Sequence, residues 1–360
     1  MTNSHSYPAV RPRAKLGGFT LVELMVSLAL GLLIVSGMLT LLARNSETRG
    51  EIEKAGRQIE NGRYAIQRLS EDIHHAGFYG EFYELPAGTT LPDPCSTDPI
   101  LLKDAMSFPV QALTATATPP SCIAAADFVA GTNVLVLRFA SPAVTLPEVP
   151  TITDASLAAL ATGVVYLQPY VEGVNVVTGA PGLTLAASFP GQVRGAGGGY
   201  IPAPIYRYIT RLYFISPCSR RPCTAASDDG SPIPTLKMVE LAAAGGVTAF
   251  TSPIAVAEGI ERLEFDYGLD TKVAPLPGLG SADSYVSCAP CTVAQWSNVV
   301  NVRINLLARN AERSAGYSDT KVYAMGLTGN VSAPSSALAF KRHLFQVVAR
   351  VNNQSMRREQ

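Results

Sequence analysis

The stretch Phe19–Leu42 reads FTLVELMVSLALGLLIVSGMLTLL, and Glu23 is its only charged residue. At a rise of about 1.5 Å per residue, a helix of this length spans a lipid bilayer. Basic residues precede it at Arg11, Arg13 and Lys15. By the positive-inside rule, they place its start in the cytoplasm and the rest of the chain on the far side of the membrane. The sequence therefore predicts one membrane helix that begins at Phe19.

A small-residue site, Gly17-Gly18, stands before this apolar run rather than after it. An ordinary secretory signal has a shorter apolar run, and its cleavage site follows the run. Cleavage after Gly18 would instead remove a basic leader, residues 1–18, and leave the apolar helix on the mature protein.

The residues Gly17-Gly18-Phe19-Thr20-Leu21-Val22-Glu23 resemble the type IV prepilin signature. The resemblance implies cleavage between Gly18 and Phe19 by an inner-membrane prepilin peptidase, followed by N-methylation of Phe19. An unpaired acid in a membrane helix costs a few kcal/mol, so Glu23 needs a reason to be there. In a stack of subunits it can neutralise the new amine on Phe19 of a neighbour. The alternative is an acid near enough to the interface to stay hydrated.

Beyond the membrane segment, apolar or small residues recur at alternating steps of three and four, the pattern of an amphipathic helix. They are Ile52, Ala55, Ile59, Gly62, Ile66, Leu69, Ile73 and Ala76. The other face has charges of both signs, Asp72 among them, and is predicted to face solvent or a neighbouring subunit. We expect one long helix, from Phe19 to about Ala76, that ends near Gly77 or Gly80.

Two stretches near the end of this helix, Asn61–Ala65 (NGRYA) and Asp72–Gly80 (DIHHAGFYG), resemble the PilW family of minor pilins in type IV pili. The resemblance is close through about residue 82, is patchy afterwards, and resumes in Trp296–Asn310 and His343–Asn353. It implies a subunit that primes pilus assembly at or near the tip and supports adhesion and twitching motility. The implied partners are other minor pilins, the major pilin and a tip adhesin.

After Phe82, Gly and Pro recur, and short runs rich in Val, Ile, Tyr and Phe indicate β-strands. The predicted strands are Asn133–Ala140, Val164–Tyr170, Ile205–Ser216, Thr235–Leu241, Ile260–Tyr267, Val299–Ala308 and Leu344–Val351. The fold class is therefore α+β, with one long helix, residues 19–80, and an antiparallel β-rich head. We expect the head to have a variable lobe at 81–200 and a sheet packed on the helix at 201–360.

All six cysteines lie beyond the membrane segment, which fits an oxidising compartment. Cys218 and Cys223 read as a small disulfide loop, and Cys95 and Cys122 pair by elimination. Cys288-Ala-Pro-Cys291 reads as a disulfide, although CxxC with Pro is also a redox motif. A Gly/Pro-rich loop precedes this pair, where a thioredoxin-like site requires a strand.

No catalytic motif and no phosphate-binding loop stands out in the sequence, so we expect neither an enzyme nor a cofactor. His74 and His75 are adjacent on a helix and diverge too far to form a joint metal site. Asp228-Asp229-Gly230 could hold a calcium ion, but Asp-Gly more often marks a turn. Asp270 is followed by Thr-Lys-Val-Ala-Pro rather than by an Asp-rich loop, which argues against calcium there.

Three other functions remain open. A type II secretion pseudopilin shares the leader and the helix, and an envelope thiol oxidoreductase would use Cys288 and Cys291. A DNA-binding pilin would use the basic C-terminus, but Lys+Arg 28 balances Asp+Glu 28, and we expect no nucleic acid as a partner.

Overall fold

The computed structural model describes residues 18–80, 85, 88–148, 151–273, 276–288 and 290–359. Its helices are α1 Leu21–His75, α2 Pro99–Ala105, α3 Asp154–Leu157, α4 Leu185–Ser188, α5 Ser227–Gly230, α6 Val293–Ser297 and α7 Asn352–Glu359. Its strands are β1 Val110–Thr116, β2 Thr132–Leu146, β3 Val165–Tyr170, β4 Gly173–Thr178, β5 Gln192–Arg194, β6 Tyr200–Pro202, β7 Ile205–Ser216, β8 Thr235–Ala244, β9 Val247–Phe250, β10 Ile254–Glu258, β11 Ile260–Leu269, β12 Ser284–Val286, β13 Val299–Arg309, β14 Val322–Ala324, β15 Asn330–Ser332 and β16 Arg342–Arg350. The predicted α+β class, one long helix followed by a β-rich head, is confirmed.

The chain forms two compact units, and the boundary between them falls within helix α1. The first unit is Met1–Glu53, and the second is Lys54–Gln360, which contains the end of α1 and the whole head. In the first unit, α1 is the helix that is long and apolar enough to cross a membrane, and its most apolar window is wholly exposed.

The larger sheet of the head has eight strands, all paired antiparallel. Its main path runs β1-β2-β7-β3-β4, and β8 joins β7 to β9 and β10. Strand β7 is the hub because it pairs with β2, β3 and β8 along its length. Its burial is near-continuous, and only Arg207 and Arg211 within it are partly exposed.

The smaller sheet has the order β12-β11-β13-β16, also antiparallel. The chain passes from one sheet to the other at Gly259, whose φ of +76° places it in the left-handed region. A Cβ there would lie 2.5 Å from Arg309 O, so only glycine fits. Strands from both sides of residue 200 thus pair with one another, and the chain changes sheet at residue 259.

The second half of α1 packs on the head through a stripe that includes Gly62, Ala65, Leu69 and Ile73. Gly62 lets the Phe345 ring approach, since a Cβ at this position would lie 2.2 Å from a ring carbon. Ile52 and Ile59, which were predicted to face the core, are exposed. The buried stripe is therefore rotated from the predicted one, and it takes in two polar residues, Gln58 and Asp72.

Candidate functional site

The residues of the predicted processing and assembly site lie at the start of α1. Gly18 and Phe19 precede the helix, and the Phe19 side chain is 81% exposed. Thr20 caps the helix, because its Oγ1 accepts the backbone N–H of Glu23 at 3.2 Å. Glu23 is exposed in the first turn, where an acid also complements the helix dipole. The other residues of the predicted leader, 1–17, lie outside the described part of the chain.

Asp72 was predicted to face solvent or another subunit, and this prediction is wrong. It is 2% exposed and accepts two hydrogen bonds from Arg211 of β7, at 2.8 and 2.9 Å. The Tyr213 hydroxyl donates to the same carboxylate. Glu240 of β8 accepts from Arg211 Nε at 2.7 Å, which completes a bridge from helix to sheet. We call Asp72, Arg211, Tyr213 and Glu240 the helix clasp.

Charge and burial make the helix clasp a coupled unit. Burial opposes the charge of Arg211, but Asp72 and Glu240 outweigh it and raise the pKa of the guanidinium. Burial, followed by the negative charge of Asp72, raises the pKa of the Tyr213 hydroxyl. Arg211 therefore remains charged and Tyr213 remains a neutral donor at any physiological pH. Removing one member would leave its partners buried without compensation.

A second polar contact fixes α1 about four turns nearer the membrane segment. Gln58 is buried and donates from Nε2 to Ala308 O at 2.7 Å and to Lys341 O at 3.1 Å. Lys54 and Arg57 flank it and pair with Glu312 at 3.5 and 3.3 Å. These two ion pairs are exposed on the Glu312 side and add little to stability. Gln58 therefore provides the specific contact at this end of the helix–head interface.

Helix α7 closes the other end of this interface. Asn353 Nδ2 lies 3.3 to 3.4 Å from the carbonyl oxygens of His74, His75 and Ala76, and Arg357 donates to Gly77 O at 2.5 Å. The last carbonyls of a helix have no partner within the helix, so these donors satisfy them. His74 instead uses Nδ1 to contact Arg350 O at 2.8 Å. The two adjacent histidines therefore do not converge on one point.

The basic C-terminal residues make contacts within the chain. Arg342 is buried and pairs with Glu261 at 2.5 Å and with Asp319 at 3.0 Å. Arg358 binds Asp270 at 2.9 Å, and the Arg350 guanidinium pairs with Glu359. These ion pairs partly neutralise the basic C-terminal residues.

The two acidic stretches considered for calcium bind protein groups. Asp270 accepts from Gly280 N at 2.7 Å, besides its pair with Arg358. Asp228 accepts the backbone N–H groups of Ser219, Arg220 and Ile233 at 2.8 to 3.0 Å. No group of three metal-ligating side chains occurs among the residues that the structure describes.

The six cysteines form three disulfides, Cys95–Cys122, Cys218–Cys223 and Cys288–Cys291. Cys288 and Cys291 are 5% and 8% exposed and belong to the main core, beside Trp296. A strand, β12, ends two residues before Cys288, where the sequence indicated a loop, so that expectation is wrong. The helix that follows the pair, α6, has only five residues, and β12 and β13 belong to an antiparallel sheet rather than a βαβ unit. This is not the setting of a thioredoxin-like site.

Comparison with known proteins gives two family matches. Residues 213–353 match the model of the type IV pilus-assembly protein W family, PilW, and residues 13–39 match the prokaryotic N-terminal methylation motif. The PilW match begins at Tyr213 of the helix clasp and runs through Asn353 of α7. It also covers the segment before Trp296, where the sequence resemblance was patchy. No curated protein and no solved structure matches the chain.

Proposed function

We propose that this PilW-like type IV pilin is a minor pilin, a non-catalytic subunit that primes pilus assembly at or near the tip. The observation that supports the proposal is the combination of two matched segments in one chain. One is a methylation motif on an exposed apolar helix, and the other is a PilW-type head that holds the second half of the same helix. A subunit built in this way can add its apolar segment to a helical stack while its head stays folded.

The prepilin motif and the apolar helix fit a membrane-anchored pilin. Before assembly, the proposal places a single-pass protein in the inner membrane with its head in the periplasm. A prepilin peptidase with N-methyltransferase activity would cut between Gly18 and Phe19. Afterwards the protein would lie in the pilus at the cell surface, in contact with other minor pilins, the major pilin and a tip adhesin.

The test is deletion of the gene in its native host, with complementation by a tagged full-length copy. A priming subunit predicts fewer pili per cell, with the remaining pili of normal length, and label confined to pilus tips in electron micrographs. Label along the shaft, or unchanged pilus numbers, would contradict priming at the tip.

A pseudopilin of a type II secretion system is the second candidate, because such proteins share the methylation motif. The PilW match in the head favours the pilus. The same deletion strain separates the two functions, since loss of secreted enzymes with normal piliation would indicate the pseudopilin.

A further inference from the structure

The disulfide Cys218–Cys223 lies against a buried lysine. Lys237 of β8 is 1% exposed, and its Nζ lies 3.8 Å from Cys218 Sγ and 3.9 Å from Cys223 Sγ. Among the described residues, no carboxylate oxygen lies within 4.0 Å of this ammonium group. A buried ammonium group without a close anion is costly, so its position calls for a reason.

The nearby anions bind other groups, although Asp127 Oδ1 is buried without a hydrogen-bond partner among the described residues. Asp127 is buried and pairs through Oδ2 with Arg221 Nε at 2.8 Å. Asp228 accepts three backbone N–H groups, and these hold its pKa below the ordinary value against the opposing effect of burial. Burial lowers the pKa of Lys237, and Asp127 partly opposes this shift. The two sulfur atoms are therefore the hydrogen-bond partners of Lys237 Nζ, and Asp127 is the anion that acts most strongly on its charge.

We propose that Cys218–Cys223 is a reducible disulfide, opened by exchange with a dithiol reductant, and that Lys237 is the positioning residue that stabilises the thiolate released. A cation beside a cysteine lowers the pKa of its thiol, and a thiol of lower pKa leaves faster in exchange. The Arg220 carbonyl oxygen lies 2.8 Å from Cys218 Sγ and favours the protonated thiol. The ammonium group of Lys237 lies 3.8 Å from the same sulfur atom and opposes this single dipole.

The exposure of the two cysteines determines which sulfur atom an incoming thiolate attacks. Cys223 is half-buried, whereas Cys218 is fully buried. The loop residues Arg220, Arg221 and Pro222 are exposed. Arg220 favours the approach of an anionic thiolate, whereas Arg221 is paired with Asp127. The incoming thiolate would therefore meet Cys223 Sγ first and would displace Cys218 as the leaving thiolate, 3.8 Å from Lys237 Nζ.

The exchange is balanced. The first sulfur of the dithiol forms a bond to Cys223 Sγ as the Cys218–Cys223 bond breaks, and Cys218 takes the electron pair. The second sulfur then attacks the first, which releases the Cys223 thiolate and leaves the reductant as its own disulfide. The two protons lost by the dithiol are available to the two cysteines. The chain gains two electrons, and the reductant loses two.

The reactive pair is thus Cys218–Cys223, and not the Cys288–Cys291 pair of the CxxC motif. Cys288 and Cys291 are buried in the main core, where a reductant has no direct approach. The pair thus serves as an internal reference in the same molecule.

The test uses the purified full-length protein in detergent. It is equilibrated with mixtures of reduced and oxidised dithiothreitol, quenched in acid, alkylated and mapped by mass spectrometry. We expect Cys218–Cys223 to open before Cys288–Cys291 in the wild type. In Lys237→Met it should require at least a tenfold higher ratio of reduced to oxidised dithiothreitol, whereas Lys237→Arg should stay close to the wild type. The ratio that opens Cys288–Cys291 should be the same in all three proteins.

Equal ratios in wild type and Lys237→Met would overturn the proposal, and so would earlier opening of Cys288–Cys291. If Lys237→Met does not fold, the wild type alone provides the test. The alkylation rate of its reduced Cys218 should follow a thiol pKa at least one unit below the ordinary value of about 8.5. An ordinary or raised pKa would also overturn the proposal.

Discussion

Asp72 shows how one side chain can join the assembly helix to the head. Its carboxylate takes two N–H donors from Arg211 and the hydroxyl of Tyr213, so its strongest acceptor positions are filled. Arg211 in turn reaches Glu240 on the neighbouring strand. Because the members are buried together, each one stabilises the charge state of the next. Unlike apolar packing, these directional hydrogen bonds fix both the rotation of α1 about its own axis and its position along the sheet.

Replacing Asp72 by Asn should destabilise the head by about 2 kcal/mol, because Arg211 and Tyr213 lose a charged acceptor while Glu240 still holds the guanidinium. Trp296 is the only tryptophan of the chain and is 2% exposed, so its fluorescence can follow urea unfolding of the full-length protein in detergent. Glu71→Gln, one residue away on the exposed face, is the matched control and should change stability by less than about 0.5 kcal/mol. Equal stability of the two variants would contradict the role of the clasp.

The burial of Asp72 could have been inferred from its position on the helix, although the apolar pattern suggested otherwise. Asp72 lies seven residues after Ala65 and four before Ala76, both of which are fully buried. It therefore shares their face of the helix. Because Ile52 and Ile59 are large and apolar, the predicted buried face of α1 included them, but both are exposed in the structure. A charged residue in phase with small residues is a sign of a buried pair, but the partners on β7 and β8 are far away in the sequence.

At the scale of elements, the long strands rich in β-branched and aromatic residues were the predictable ones. Strand β7 has the predicted bounds, Ile205–Ser216, and β11 and β13 extend theirs by only one or two residues. Their length and their β-branched and aromatic residues mark them in the sequence, even where apolar residues alternate with charged ones as in β11. The short strands β9, β12, β14 and β15 were not predicted, because their stability comes from pairing with a neighbour rather than from their own residues.

Helix α7 was not predicted for a related reason. Its sequence, NNQSMRRE, has almost no apolar side chains, so no periodicity marks it as an amphipathic helix. It is held by polar contacts instead, from Asn353 and Arg357 to the end of α1 and from Arg358 to Asp270. Tertiary contacts of this kind cannot be derived from local sequence.

The pair of Asp270 and Arg358 should make the docking of α7 sensitive to acid. Burial raises the pKa of Asp270, but the Arg358 guanidinium and the N–H groups of Gly280 and Lys272 outweigh it and hold the pKa below its ordinary value. A carboxylate with a lowered pKa contributes stability that is present above about pH 4 and is lost as the pH falls through the lowered value. Asp270→Asn should therefore cost about 2 kcal/mol at pH 7 and much less at pH 2.

The measurement is the free energy of unfolding of full-length wild type and Asp270→Asn at both pH values, followed by Trp296 fluorescence. Asp104→Asn, an exposed position on α2, provides the control and should match the wild type at each pH. A cost for Asp270→Asn that does not depend on pH would show that the pair contributes through shape rather than charge.

For the head as a whole, buried tyrosines set an alkaline limit. Burial raises the pKa of Tyr208 to about 12, and it also raises the pKa values of Tyr79 and Tyr267. The unfolded chain releases these protons near pH 10, and the folded chain retains them. Stability is thus fully present below about pH 10 and declines as the pH rises through about 12.

We expect the free energy of unfolding to fall steeply between pH 10 and about 12, with tyrosinate absorbance appearing together with unfolding. Tyr208→Phe should make this fall shallower, because one retained proton is removed. Tyr200→Phe, at a 76% exposed side chain, should leave the slope unchanged. Tyrosinate absorbance that precedes the loss of folded structure would contradict the assignment of buried, protonated tyrosines.

At the scale of the assembled pilus, substitutions at Glu23 can show whether this protein is a filament subunit or only a membrane-anchored protein. Two roles compete for this residue. It can pair with the amine of Phe19 on a neighbour, where an unpaired charge in an apolar stack is costly. It can also simply stabilise the start of α1, since Thr20 accepts its N–H and an acid in the first turn favours the helix.

Two substitutions separate these roles. Glu23→Ala should leave membrane insertion intact, because losing a charge favours insertion, and the head should stay folded, because it lies in the other compact unit. Glu23→Gln keeps a side chain suited to the first turn but cannot balance the charge of the amine. If pairing is the role, both variants should enter pili at well under wild-type levels. The measurement is the amount of this protein in sheared pili relative to the membrane pool, with Thr20→Ala as the control for helix capping. Wild-type entry of both variants would exclude pairing, and impaired entry of Thr20→Ala with normal entry of Glu23→Gln would assign Glu23 to the helix start.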